Sequence, residues 1–326
     1  MPVLAISQKD LRPLLDDPSS MDKAIDVIER GLLSQNAGAN REGTLLDRTQ
    51  AENPNRLQVR HASEGSSVSG IHIFAEEDGG PERPNARFIA VLDPTTRQLL
   101  ALVDYWNISP LRVGATAGMG VRYLAPAGAK TAAILGSAKQ ARGTLWAIKR
   151  AAPTIERARV FSPTPEHRER YAQEMSAFLG IPVEAVTNPK DAVEGADIVG
   201  VASTARQPVF EMPWVKPGAL VATISYMGEL PPLAADGPRL VASDPSTVLE
   251  REPYKSRLAA GEAPDNIVMP FVNVLLQKED IVRQSANDIV VFDAGRLTVW
   301  AMSVAEMVYR WASQRGVGTA FNLSDE

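Results

Sequence analysis

From about residue 130 onward the sequence alternates short apolar runs with stretches of helical spacing, and this alternation constrains the fold more than any other feature. Thr131–Leu135 is an apolar β run, Ala138 to Ala151 has the spacing of a helix, and Ala158–Phe161 is a second strand. Glu166 to Leu179 is a second helix, with Pro165 suited to its first turn. Val183–Val186, Asp197–Ala202, Ala219–Ser225, Leu240–Ala242 and Asp288–Phe292 read as further strands. Asn188-Pro-Lys-Asp191 caps a short helix, and Asp244-Pro245 opens a helical stretch. Strands that alternate with helices predict a parallel sheet covered on both faces, a doubly wound α/β domain.

The chain before this region is built differently. Val3–Ile6 reads as a strand, followed by Ser7, which can cap a helix while Asp10 reaches back. Met21, Ala24, Ile25, Ile28, Leu32 and Leu33 carry helical spacing through Ser20 to Gln35. Between about 41 and 105 the pattern is of short strands and turns: Thr44–Leu46, Leu57–Val59, Gly70–Phe74, Phe88–Leu92 and Leu99–Val103. This predicts an antiparallel sheet with two helices. A long amphipathic helix from about Thr298 to Gln314 closes the sequence.

Composition narrows the partners. With 34 Lys+Arg against 39 Asp+Glu the formal charge is −5, so no global positive field exists to hold a nucleic acid or an anionic membrane, and a small molecule is the expected partner. The 326 residues include no cysteine, which excludes disulfides, thiolate catalysis and Cys-based zinc sites and fits a reducing compartment. Three histidines, His61, His72 and His167, stand apart and form no metal-binding pair, so no metal is expected. The N-terminus lacks the basic and apolar regions of a signal peptide, and no apolar run reaches the roughly 20 residues of a membrane span. The expected location is the cytoplasm.

The first strand–turn–helix of the alternating region carries a phosphate-binding pattern. Glycines in G-x-G-x-x-G/A let a backbone approach a pyrophosphate at a helix N-terminus. Here Gly136-Ser137-Ala138-Lys139-Gln140-Ala141 fits the first and third positions and places Ala138 at the second. Such a turn can be purely structural; with a strand before it, a helix after it and further β-α units behind it, it predicts dinucleotide binding. The next strand runs into Ser162, Pro163 and Thr164, where an acidic residue would accept from the ribose of NAD. A serine does not repel a 2′-phosphate, and Arg168 can pair with one unless it is simply a solvated helix residue. NADP(H) is therefore the expected cofactor, with NAD(H) as the other option.

Several segments taken together resemble the ornithine cyclodeaminase/mu-crystallin family. They are Leu111-Arg112-Val113-Gly114-Ala115-Thr116-Ala117-Gly118, Tyr123-Leu124-Ala125, the Gly136 turn, Gly195-Ala196-Asp197-Ile198-Val199, Thr204 to Val209, Trp214 to Ala219, and Asp288 to Gly295. The resemblance implies homodimeric NAD(P)-dependent proteins that move hydride to or from the α-carbon of amino or imino acids. It implies a Rossmann domain, residues 121–301, inserted in an α+β substrate-binding and dimerisation domain of residues 1–120 plus about 302–326. Carried over by position, the resemblance implies that Arg112 and Arg48 bind the substrate carboxylate, a task suited to a planar guanidinium. The alternative for Arg112 is a surface ion pair. Thr116 is an added phosphate contact, and Ala202, Ser203 and Thr204 line the cofactor.

Departures from the family pattern shape the chemistry. A lysine is usual where this chain has His72, in Ser69-Gly70-Ile71-His72; an imidazole can still act as general acid near neutral pH, and the alternative is a packed strand residue. Arg60 and His61 stand where the family commonly has Met-Pro-Ala, so Arg60 either reads a second acidic group on the substrate or faces solvent. Ile224 to Leu230 lacks the cyclodeaminases' catalytic aspartate, and Trp300 falls where another aspartate is usual. The expected activity is an NAD(P)H-dependent imine or ketimine reductase or amino-acid dehydrogenase. Ornithine cyclodeamination and a mu-crystallin-like ligand carrier are the alternatives.

Overall fold

A computed structural model describes residues 2–38, 40–50, 53–64, 68–76, 87–224, 228–234, 237–277, 282–295 and 297–323, with the side chains of 40–64, 68 and 74–76 excepted. It divides into two compact units. The first comprises Met1–Ser20, Asp26–Arg112 and Leu297–Glu326; the second comprises Met21–Ile25 and Val113–Arg296.

In chain order the elements begin with β1 (Val3–Ile6), α1 (Gln8–Leu15), α2 (Ser20–Asn36), β2 (Asn40–Gln50), β3 (Asn53–Glu64), β4 (Val68–Glu76), β5 (Arg87–Leu92), β6 (Leu99–Asp104) and α3 (Tyr105–Leu124). The alternating region supplies β7 (Thr131–Leu135), α4 (Lys139–Ala151), β8 (Arg157–Phe161), α5 (Pro165–Leu179), β9 (Val183–Ala185), α6 (Pro189–Val193), β10 (Ile198–Val201) and β11 (Leu220–Thr223). The remainder is β12 (Arg239–Ala242), α7 (Pro245–Leu249), α8 (Tyr254–Ala259), α9 (Pro264–Ile267), β13 (Met269–Pro270), α10 (Phe271–Gln277), β14 (Val290–Asp293), α11 (Thr298–Arg315) and β15 (Thr319–Phe321).

The first unit holds a seven-stranded sheet in the order β15-β1-β6-β5-β4-β3-β2. Neighbouring strands from β2 to β6 pair antiparallel, while β1 lies parallel to β6 and antiparallel to β15. The Ser7 amide and hydroxyl both donate to the Asp10 carboxylate, at 2.9 and 2.6 Å, and fix the start of α1. Those bonds hold Asp10 below the usual carboxylate range. β2 and β3 run 11 and 12 residues, far beyond the expected Thr44–Leu46 and Leu57–Val59. Polar residues in their outer parts hide the strands from a reading by hydrophobicity. Gly70 on β4 is a point of close approach, since a Cβ there would lie 2.6 Å from both the Ala90 carbonyl oxygen and the Met302 sulfur of α11.

The second unit carries the doubly wound sheet, eight parallel strands in the order β13-β12-β14-β11-β10-β7-β8-β9. Its central strands are buried at every position, which is why they read as unbroken apolar runs, whereas β8 alternates. Asn188 caps α6 by accepting from the Asp191 amide at 2.9 Å, and Gly180 ends α5 in the left-handed region. α3 is a 20-residue helix that the spacing rules did not identify, because Pro110 and three glycines interrupt its sequence. The glycines give room: a Cβ at Gly114 would collide with the Gly143 carbonyl of α4, and one at Gly120 would enter the buried Phe292 ring.

Asp197 ties the amino ends of two strands together. Its Oδ2 accepts from the Lys130 and Thr131 amides at 2.8 and 3.0 Å, and Lys216 pairs with its other oxygen. Burial opposes ionisation, but Lys216 and the two amides outweigh it and hold the pKa below the ordinary value. A carboxylate with a depressed folded pKa stabilises above its unfolded pKa and loses that contribution as pH falls through the folded one. Asp197→Asn is expected to cost about 1–2 kcal/mol near neutral pH. In urea titrations over a pH series the gap from wild type should close as the carboxylate protonates; a constant gap would contradict this account.

Candidate functional site

In the doubly wound sheet the chain winds outward through β7, β8 and β9, then returns to the other side of β7 as β10. Such a reversal opens a crevice at the carboxyl ends of the two central strands, where open α/β sheets bind ligands. Gly136 follows β7 at that point with φ 120°, a conformation few L-residues adopt, and a Cβ on it would strike the Ala202 carbonyl after β10. The Gly136 amide donates to the Phe161 carbonyl at 2.8 Å, and the Ala202 amide donates to Leu135 at 2.9 Å. The loops after β7, β8 and β10 are thus locked together around a position that excludes side chains.

α4 opens from Ala138, which offers no side-chain cap. The positive end of the helix dipole and its first-turn amides are therefore turned to the loop formed by Gly136, Ser137 and Ala138, with Lys139, Gln140 and Ala141 as the first helical residues. The Ser137 hydroxyl donates to the Ser162 hydroxyl at 2.8 Å, joining this loop to the end of β8. The arrangement fits a dinucleotide: a cradle that any Cβ would fill, beside an uncapped helix start. Ser203 and Thr204 continue from Ala202, and the Ser203 hydroxyl accepts from the Ala205 amide at 3.0 Å. Thr164 begins α5 and is exposed, as is His167.

Arg168 points otherwise than the sequence suggests. Its side chain is buried, and Nη1 donates to the Ser162 and Pro163 carbonyls at 3.1 and 3.3 Å, so the guanidinium holds the turn after β8. Thr116 is buried in α3 and donates to the Val113 carbonyl at 2.7 Å, leaving its oxygen as an acceptor. Sequence reasoning passed over Glu229, a fully buried carboxylate beyond β11. Its Oε1 accepts from the Thr223 hydroxyl at 2.9 Å, and its backbone carbonyl accepts from the Val209 amide.

The first unit gathers the residues expected to meet substrate. His72 on β4 is buried and lies in register between Arg60 on β3 and Ile89 on β5. Its ring packs on Tyr105, the first residue of α3, with centroids 4.0 Å apart and planes inclined at 50°. Arg112, seven residues further along α3, is also buried, and Nη2 donates to the Leu297 carbonyl at the start of α11 at 3.2 Å. A guanidinium and an imidazole are thereby both buried within the first unit. Arg48, Arg60 and His61 lie on strands whose side chains fall outside the described residues; the backbone sets Arg48 opposite Leu57 and Arg60 opposite His72. Trp300 is wholly buried in α11, its ring 3.4 Å from where a Cβ on Gly31 would stand.

A cavity of about 550 Å³ opens at the amino ends of β12 and β14, lined among others by Arg239, Tyr254, Arg257, Asp265 and Asp288. It lies at the amino ends of these strands, whereas Gly136 follows the carboxyl end of β7. Burial and the nearby Asp293 push the Tyr254 hydroxyl up to about 12 against the opposing pull of Arg257. Among the described residues no group of three or more His, Asp or Glu is placed to hold a metal, and no helix is long and apolar enough to cross a membrane.

Residues 17–316 match the model of the family described as ornithine cyclodeaminase/mu-crystallin. A Delta(1)-pyrroline-2-carboxylate reductase from Bacillus cereus is 30% identical over 239 residues, 71% of this chain and 72% of the relative. A Thermococcus litoralis Delta(1)-pyrroline-2-carboxylate reductase, solved with NADH and L-proline, superposes with a TM-score of 0.82 at 25% identity, covering 98% of this chain and 99% of that one. The iminosuccinate reductase of Paracoccus denitrificans, solved with NAD+, shares the fold with a TM-score of 0.84 at 20% identity, over 99% and 100% of the two chains.

Arg168→Ala removes the donor from two turn carbonyls and is expected to cost about 1–2 kcal/mol in urea unfolding. A variant as stable as wild type would show that the guanidinium does not hold this turn.

Proposed function

The chain belongs to the ornithine cyclodeaminase/mu-crystallin family, and from that premise we propose that it is an NAD(P)H-dependent reductase of α-imino acids. The observation that carries the reading is that a guanidinium, Arg112 on α3, and an imidazole, His72 on β4, are both buried in the first unit, with Tyr105 of α3 packed on the imidazole. The imino-acid reductases among its relatives support the substrate class.

Gly136 to Ala141, with Ser162, Thr164, Ala202, Ser203, Thr204 and Thr116, would hold the dinucleotide, and its reduced nicotinamide supplies the hydride. Arg112 binds the substrate carboxylate through its planar N–H fork and so orients the α-carbon. His72 delivers a proton to the imine nitrogen, which makes the C=N carbon a better hydride acceptor. The apolar side chains around both residues exclude water and strengthen the charge–charge contact with the carboxylate. Arg48 and Arg60 are further carboxylate partners in this reading, and Arg60 extends the range to dicarboxylic substrates. NADP(H) is preferred over NAD(H), on the ground that Ser162 stands where a carboxylate would repel a 2′-phosphate. The enzyme works as a cytoplasmic homodimer, a part of the reading that rests on the family resemblance and the cysteine-free sequence.

The deciding assay is NADPH and NADH oxidation with 2-oxo acids, mono- and dicarboxylic, each with ammonia or methylamine, and with preformed cyclic imines. Amine-dependent or cyclic-imine-dependent consumption is expected, with the lower Kd for NADPH. Silence across the panel overturns the reductase reading, and equal dinucleotide affinities overturn the cofactor preference. Arg112→Ala should lower kcat/KM by about 10²-fold or more while dinucleotide affinity stays within about twofold, because a buried charge partner of the substrate is lost. Turnover at wild-type efficiency would remove Arg112 from the site.

A further inference from the structure

We propose that Tyr105 is a positioning residue that fixes the imidazole plane of His72 for proton transfer; this rests on the reading of His72 as the proton donor.

The χ2 torsion of a histidine is broad and two-fold, so an imidazole left to itself samples orientations that present either ring edge. A donor is useful only when one nitrogen is held toward the acceptor. Tyr105 provides the constraint on the ring plane, since its ring lies 4.0 Å from the imidazole centroid at a 50° tilt, a contact that an imidazole swung out of this plane would break. The contact is anchored at both ends. His72 sits on a central strand of its sheet, between β3 and β5, and Gly70 two residues earlier keeps that strand tight against Met302 of α11. Tyr105 opens α3 directly after β6, where the Asp104 carboxylate accepts from the Asn107 backbone amide at 3.2 Å and side-chain amide at 2.6 Å.

The pattern along α3 agrees. Tyr105, Ser109 and Arg112 are spaced four and three residues apart and so share one helix face, while Ile108 and Leu111 between them are fully buried. A stripe of polar groups on a largely buried helix is costly unless the groups find partners, and Arg112 donates to the Leu297 carbonyl. Tyr105 is the end of that stripe that meets His72, and Arg112 is the end that meets the carboxylate in the proposed reaction. Among the described contacts, the titratable or charged groups set against His72 are Tyr105 on α3 and, by backbone register, Arg60 on β3.

The test is a double-mutant cycle with pH–rate profiles, using the imine substrate found in the oxidation assay. Tyr105→Leu should lower kcat by about tenfold and alter the pH profile, with dinucleotide affinity unchanged, whereas Tyr105→Phe, which keeps the ring, should retain wild-type kcat and profile. In a His72→Gln background the Tyr105→Leu effect should shrink to less than about twofold. An equal loss in both backgrounds, or a Tyr105→Phe variant as impaired as Tyr105→Leu while melting normally, overturns the proposal. If His72→Gln loses activity and its pH limb but Tyr105→Leu matches wild type, only the positioning role falls. If His72→Gln keeps both, the proton-donor reading fails and this inference fails with it.

Discussion

Backbone approaching backbone where no Cβ is tolerated is the constraint on which the nucleotide-type unit depends. At Gly136 the loop after β7 meets the carbonyl of Ala202 after β10, and at Gly114 helix α3 meets helix α4 at Gly143. Gly200 on β10 makes room for side chains instead: a Cβ there would stand 2.7 Å from the Ile134 side chain and 2.9 Å from that of Thr144. With these positions bare, α4 can seat directly on the two strands whose ends form the crevice. Its uncapped start then arrives where the loops already exclude side chains. Helix seating and loop shape both depend on the same few missing methyl groups.

The parallel sheet was legible because its strands are buried on both faces, so that Thr131–Leu135 and Ala219–Ser225 read as apolar runs bounded by turns. α3 was not, since the glycines that give it close contacts are the residues that weaken a helix in a local reading. β2 and β3 extend well past their apolar centres because pairing along the backbone does not need apolar side chains at every step. Tertiary bonding decided these cases, and a single sequence does not display it.

The site divides along the same line. The Gly136 turn was readable because its function depends on backbone geometry that only a glycine supplies. The fate of Arg168 was not, since whether a guanidinium faces a ligand or two carbonyls of its own turn depends on a loop closing over it. Tyr105 was invisible for a related reason: its meaning comes from His72, 33 residues earlier and adjacent only after β4 and α3 have packed. The spacing of Tyr105, Ser109 and Arg112 was the available signal, and it lay in a helix the local rules had not identified.

One feature of the first sheet bears on how the protein is made. β1 takes one neighbour, β6, from about 100 residues later and the other, β15, from more than 300 residues later, with Val3 registered against Phe321. During synthesis the strands of the doubly wound sheet leave the ribosome together and can pair with one another, whereas this sheet cannot be finished until the last strand emerges. Until then β1 presents an unpaired edge to the surrounding solution. The sheet bearing His72 is therefore sealed only once β15 has been made and has paired with β1.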